Sequence, residues 1–190
     1  MSTRCDGFCK LDDVLTLRRF KRLQCTVREI EEVVKDNGKQ RFELKVEHHV
    51  LLIRAEQGHS IKDVHDEELL RRLDLSDKDL PHCRVHGTYW RHFESIKAEG
   101  LRAGGGQIHK HRNHVHFASC EPGDNRVISG MRHNCDIGIW IDLRKALKDG
   151  VPFYMSANEV ILTPGIEGWI DKKYLLKAKD FWSQKKLRLL

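Results

Sequence analysis

The spacing of apolar residues divides the chain into two stretches of different character. Leu11, Val14, Leu15 and Phe20 suggest one helix, and Val27, Ile30, Val33 and Val34 mark one face of a second. That second helix has a defined start. Thr26-Val27-Arg28-Glu29 is a capping box, in which the Thr26 hydroxyl accepts from the third helical N–H and Glu29 reaches back to the cap. Asn37-Gly38 then supplies a left-handed stop. Residues 41–46 alternate apolar and polar side chains, Glu47-His48-His49 reads as a turn, and residues 50–53 form a short apolar run. Residues 6–54 therefore predict helix, helix and a two-stranded wing, a small winged-helix-like lobe.

Residues 60–81 are highly charged and read as a linker carrying one short helix. Beyond them the pattern changes. Residues 83–85 predict a strand running into His86-Gly87-Thr88, and residues 90–97 a helix with Phe93 and Ile96 inward and Gly100 as its cap. Short strands are expected at 114–117, 137–141, 151–153 and 159–162, with a short helix at 144–148. The fold class this predicts is α+β with a small, mostly antiparallel sheet.

Composition narrows the class. With 190 residues, 33% of them charged, 39% hydrophobic and only 4 Pro and 14 Gly, the chain can bury a core and is neither collagen-like nor low-complexity. No apolar run is long enough for a spanning helix, and the first residues lack the apolar core of a signal peptide. A cytoplasmic or nuclear protein with no membrane partner is the expectation. The 6 cysteines are dispersed, without C-x-x-C, which favours reduced thiols. The formal net charge of +6 suits an anionic partner: a nucleic acid, a nucleotide cofactor, or both.

Candidate chemistry lies in short motifs. Gly104-Gly105-Gly106 lacks the companions of a phosphate loop and reads as a flexible loop. The run HKHRNHVH at 109–116 resembles a metal tract, yet Lys110 and Arg112 are poor neighbours for a cation; a basic loop beside anionic ligands is favoured and no metal is expected. Arg54-Ala55-Glu56-Gln57-Gly58-His59-Ser60 follows an apolar strand, so a Gly and several hydrogen-bonding side chains emerge together at a strand end. Ser129-Gly130-Met131-Arg132 repeats that logic, with Arg132 offering a planar fork for a phosphate. Each has a plain structural reading as a turn.

Together, Lys39-x-Arg41-Phe42, Ile53-Arg54-Ala55-x-Gln57-Gly58-His59-Ser60, Val85-His86-Gly87-Thr88, residues 114–118 (HVHFA), Ser129-Gly130-Met131-Arg132 and residues 156–163 (SANEVILT) closely resemble, in this order, the RNA 2'-phosphotransferases of the KptA/Tpt1 family. The resemblance implies a winged-helix-like lobe at 1–59, a charged linker at 60–81 and an ADP-ribosyltransferase-like lobe at 82–190. It implies removal of an internal 2'-phosphate from RNA, typically at a tRNA splice junction, with NAD+ as co-substrate. The phosphate attacks the nicotinamide-bearing ribose carbon and nicotinamide leaves; the neighbouring ribose hydroxyl then attacks phosphorus, freeing a 2'-OH and ADP-ribose 1'',2''-cyclic phosphate. Arg41 and Arg132 match two members of a catalytic set of three Arg and one His, are expected to converge on one phosphate, and have Lys39 beside them. His86, Gly87 and Thr88 match the dinucleotide contact motif, and Arg54, Gln57, Gly58, His59, Ser129 and Gly130 are the other expected cofactor-binding residues.

The family pattern opens with a helix bearing Leu-Arg-His upstream of the Asp-Gly-Phe motif, here Asp6-Gly7-Phe8. No such helix precedes Asp6 in this sequence, which fits a truncated sequence, a fragment or a family member that has lost activity; for the chain as given, the face of Val27, Ile30 and Val34 is expected to lie uncovered and 2'-phosphate transfer to be slow or absent. Glu159 is weighed between a catalytic carboxylate and an ordinary surface residue, since relatives often carry Gly or Asn there. The alternatives are a related NAD+-dependent ADP-ribosyltransferase acting on nucleic-acid or protein groups, and an RNA-binding relative of reduced activity. A monomer is expected.

Overall fold

The computed structural model describes residues 2–56, 64–82, 84–104, 113–119, 130–132 and 134–189. It is α+β, with short helices and antiparallel sheets, and divides into two compact units, Met1–Leu70 and Arg71–Leu190.

The first unit runs β1 (Cys9–Lys10), α1 (Leu11–Leu15), α2 (Arg18–Leu23), α3 (Val27–Lys35), β2 (Phe42–Glu47), β3 (Val50–Ala55) and α4 (Asp66–Leu69). Both halves of the capping box at α3 are made: Thr26 accepts from the Glu29 N–H at 3.3 Å and Glu29 accepts from the Thr26 N–H at 2.8 Å. A cap of this kind is worth about 1 kcal/mol. The stop differs from the expected one. No left-handed residue stands at Asn37-Gly38; Asp36 caps the helix at φ −84°, and the Asn37 side chain accepts from the N–H groups of Lys39 and Arg41 at 3.2 and 3.3 Å. A short amide side chain thus does the turning that glycine was expected to do. The single upstream helix is also two, α1 and α2.

β2 and β3 pair antiparallel in full register from Phe42↔Ala55 to Glu47↔Val50. Their two-residue loop, His48-His49, has φ of 48° and 63°, the doubly left-handed geometry whose twist matches a hairpin. β1 adds to β3, giving the order β1-β3-β2. Phe8, Leu11, Leu52 and Leu70 are buried, whereas α3 has no buried residue. Its Ile30, Val33 and Val34 line an open apolar groove of about 390 Å³ with Phe20, Phe42 and Ile53.

The second unit holds β4 (Arg71–Arg72), β5 (Val85–Thr88), α5 (Trp90–Glu99), β6 (Gly100–Arg102), β7 (Val115–Ala118), β8 (Ile137–Ile141), α6 (Leu143–Lys148), β9 (Tyr154–Met155), β10 (Val160–Thr163), β11 (Trp169–Asp171), β12 (Leu175–Asp180) and β13 (Lys186–Leu187). The sheet is larger than the small one expected: eight strands in the order β13-β12-β8-β5-β7-β10-β9-β4, with β6 and β11 forming a separate pair. β8 lies inside it and all five of its residues are buried, which is why it reads as a continuous apolar run. Its Ile137 and Ile139 pack with Phe93 of α5 and Ala178, while Trp140, on the other face, packs with Val85 and Ala118.

Two further expectations need correction. Residues 60–81 are more than a linker, because β4 pairs with β9 and Leu73 and Leu80 are buried in the main core of this unit. The strand expected at 151–153 is displaced to β9; Val151 and Phe153 are buried as core residues ahead of it.

Candidate active site

The site is built around β5. Gly87 lies opposite Gly138 of β8, and a Cβ on Gly87 would stand 2.3 Å from Cγ of Met131 and 2.8 Å from Sγ of Cys135. Glycine is therefore required because another segment approaches its backbone closely. Gly130, at φ +93°, lies as tightly on β7, where a Cβ would meet the Phe117 carbonyl oxygen at 2.9 Å. These two glycines let residues 130–132 lie against the sheet and place Arg132 at a cavity beside His86, Gly87 and Thr88.

That cavity, about 640 Å³, is within the range of small-molecule and cofactor sites. Arg91, Ser95 and Glu99 recur every fourth residue, so one stripe of α5 faces it. Also lining it, the Arg102 guanidinium sits 5.3 Å over the ring of Trp169, a pairing fixed by the register Trp169↔Arg102 between β11 and β6. Arg91, Arg102 and Arg132 face Glu99 as the lone acid among the described lining residues, so the cavity favours an anionic occupant. Arg91, Glu99, Arg102 and Trp169 were missed by sequence reasoning. The i, i+4 stripe was a usable signal; the Arg102–Trp169 pair had none, because a strand pairing 67 residues apart creates it.

His86 Nδ1 lies 2.9 Å from the His116 carbonyl, which can only accept; Nδ1 thus carries the hydrogen and Nε2 is left as an acceptor. Burial pushes the His86 imidazole below its ordinary pKa, against the smaller opposing effect of this hydrogen bond. The unfolded chain therefore binds a proton at higher pH than the folded one. Stability from the neutral ring is full above about pH 6.5, the unfolded value, and is lost as pH falls through it toward the lower folded value. Melting curves across this range should show the decline in the wild type and a smaller one in His86→Gln.

In the first unit the Arg41 carbonyl accepts from the Glu56 N–H at 2.8 Å, which brings the Lys39-x-Arg41 motif to the end of β3 where Gln57 follows. Arg41 is exposed and Lys39 half-buried. Arg54 is held inside the unit: its guanidinium bonds to Glu43 at 2.6 and 2.8 Å, stacks 4.6 Å over Phe8 and bonds the Asp6 carbonyl at 3.3 Å. Gln57, Gly58, His59 and Ser129 lie outside the described residues, as do residues 109–112 of the histidine run. Among the described residues, no three His, Cys, Asp or Glu side chains gather as a metal ligand set would.

Glu159 is exposed in the turn before β10 at φ +60°, away from the cavity. This left-handed conformation costs a non-glycine residue about 1–2 kcal/mol, more than glycine's extra chain entropy of about 0.5–1. Glu159→Gly should therefore raise stability by about 0.5–1 kcal/mol in denaturant titrations and leave turnover unchanged. Lost turnover would instead put the carboxylate in the chemistry.

A central strand bearing His86-Gly87-Thr88, an arginine-lined cavity and an arginine delivered by a glycine-dependent turn define a site suited to an anionic ligand. The family comparison then identifies it: residues 1–165 match the model of the RNA 2'-phosphotransferase, Tpt1 / KptA family, and the chain belongs to that family. It is 43% identical over 162 residues to tRNA 2'-phosphotransferase 1 of Danio rerio, covering 84% of this chain and 68% of the relative. It is 44% identical over 182 residues to tRNA 2'-phosphotransferase 1 of Mus musculus, covering 92% and 67%. The chain is also 33% identical over 177 residues to tRNA 2'-phosphotransferase of Saccharomyces cerevisiae, covering 91% and 74%. The chain thus spans about two thirds of the length of the two vertebrate relatives. Among the described residues no helix is long and apolar enough to cross a membrane.

Proposed function

We propose that this chain removes an internal 2'-phosphate from RNA, as on a spliced tRNA, with NAD+ as co-substrate. The observation that carries the reading is the family match, and the arginine-lined cavity at His86-Gly87-Thr88 supports the dinucleotide. The residues present suit it: the volume is adequate, and Gly87 and Gly130 keep the wall thin. NAD+, when bound, supplies the ribose carbon that accepts the phosphate and the nicotinamide that departs. The second unit is proposed to be ADP-ribosyltransferase-like and the first winged-helix-like.

His86 Nε2 would accept from a ribose hydroxyl, a role its Nδ1 bond to the backbone prepares. The flat surface of Arg102 on Trp169 would support a base. Arg132 would hold the 2'-phosphate through two parallel N–H bonds, positioning a nucleophile that is already an anion and needs orientation more than a base. Phosphate recognition is assigned to Arg41 and Lys39 as well, on the resemblance of their motif alone.

The test is incubation of the chain with an RNA oligonucleotide bearing one internal 2'-phosphate, with and without NAD+. The expected result is a 2'-OH RNA and free nicotinamide, both dependent on NAD+. Retention of the 2'-phosphate by a folded protein, or stable ADP-ribosylation of an RNA end in its place, would overturn the reading.

A further inference from the structure

The last hairpin carries a feature the proposed chemistry does not use. Residues 172–188 hold seven Lys and Arg against a single acid, Asp180, and all lie beyond the residues matched by the family model. Asp180 is engaged in its own turn, accepting from the Trp182 N–H at 2.8 Å and the Ser183 hydroxyl at 2.7 Å. Lys179 of β12 stands directly opposite Lys186 of β13. Like charges at directly opposed positions destabilise a sheet, and among the described residues neither forms an ion pair.

Register also fixes their face. Lys177 pairs with Trp140 and Lys179 with Gly138, so both stand on the side of the sheet that bears Trp140, and the Lys177 ammonium lies 4.5 Å over that indole. Phe181 packs edge-on against the same Trp140, and Met131 packs against the cluster that Trp140 forms with Val85 and Ala118. The cluster that carries this face thus includes Met131, the residue preceding Arg132. At the hairpin tip Trp182 is 79% exposed. Lysines alone on an edge strand would serve to discourage strand addition. A bare indole among them does not; cations interleaved with an exposed aromatic are what a flexible nucleic-acid strand needs, backbone charge neutralised and a base stacked.

We infer that the β12–β13 hairpin, through Lys179, Lys186 and Trp182, binds the substrate RNA outside the reacting nucleotide, gripping the flanking strand. This rests on RNA being the substrate. The test measures binding of a fluorescent 2'-phosphorylated RNA of ~20 nucleotides at several salt concentrations without NAD+, for the full chain, for Lys179→Ser/Lys186→Ser and for Trp182→Ala, with melting curves as a control. The double variant should bind about tenfold more weakly, and its salt dependence should fall by about 1.4 in log–log slope, 0.7 for each single-strand phosphate that a lysine no longer neutralises. Trp182→Ala should weaken binding by about fivefold or more with the slope unchanged. Turnover of a trinucleotide and the KM for NAD+ should match wild type in both.

Wild-type affinity and slope in folded variants would overturn the inference, as would no RNA binding by the wild type or tight binding to phosphatidylserine vesicles in its place. Failure of the proposed activity looks different: the wild type would bind RNA yet leave the 2'-phosphate in place, and the hairpin variants would still report on this surface.

Discussion

Arg132→Lys should lower the rate of 2'-phosphate removal on the order of a hundredfold while leaving the melting temperature within the scatter of wild type. Lysine keeps the charge and loses the planar fork, so a result this large would come from lost bidentate geometry; removal of one preorganised electrostatic group costs on the order of 10²–10³ in rate. Stability should be spared because Arg132 is exposed, and its backbone is held by Gly130 and by Met131 against the sheet. Steady-state turnover of a 2'-phosphorylated RNA, measured beside a thermal melt, checks both halves. A rate within threefold of wild type would remove Arg132 from the catalytic assignment. Arg54 supplies the contrast, since its guanidinium is tied to Glu43 and stacked on Phe8, and shortening it would disturb the first unit before any chemistry.

What was legible in the sequence was what closes within a few residues. The Thr26–Glu29 box and the β2–β3 hairpin need partners at most 13 residues apart and read correctly. The strand running into His86-Gly87-Thr88 was legible and is β5, as was α5 from its apolar pair Phe93 and Ile96. The two-residue strands β1 and β4 were not, because two residues carry no alternation and owe their conformation to β3 and β9. The same holds for β6 and β11, whose pairing creates the Arg102–Trp169 surface. In residues 60–81 the charge concealed Leu73 and Leu80, apolar positions that tertiary packing recruits to the core. Gly87 was legible as a motif residue, but its reason, the sulfur atoms of Met131 and Cys135 behind it, lies more than 40 residues away.

Gly100 extends that contrast into the second large effect. It ends α5, begins β6 and has φ +103° and ψ −164°, a region open essentially to glycine. A Cβ there would lie 2.1 Å from the Ile170 carbonyl oxygen and 2.9 Å from the Lys172 nitrogen. Both neighbours are backbone, so no rotamer change relieves the overlap, whereas a Cβ on Gly87 meets the side chains of Met131 and Cys135, which can move. Gly100→Ala must therefore break the Gly100↔Asp171 pairing or push β11 outward. Backbone strain of about 1–3 kcal/mol and overpacking of about 1–3 kcal/mol together put the loss on the order of 3 kcal/mol or more, a fall of about 10 °C in melting temperature. Because β6 and β11 carry Arg102 and Trp169, affinity for NAD+, the proposed co-substrate, should fall with stability, in a calorimetric titration run well below the melt. Gly87→Ala should divide its effect differently: Met131 yields, stability drops less, and the displaced Met131 carries Arg132 with it, so turnover falls more than folding. Equal melting temperatures for Gly100→Ala and wild type would mean that the β6–β11 pair is not the rigid rim of the cavity.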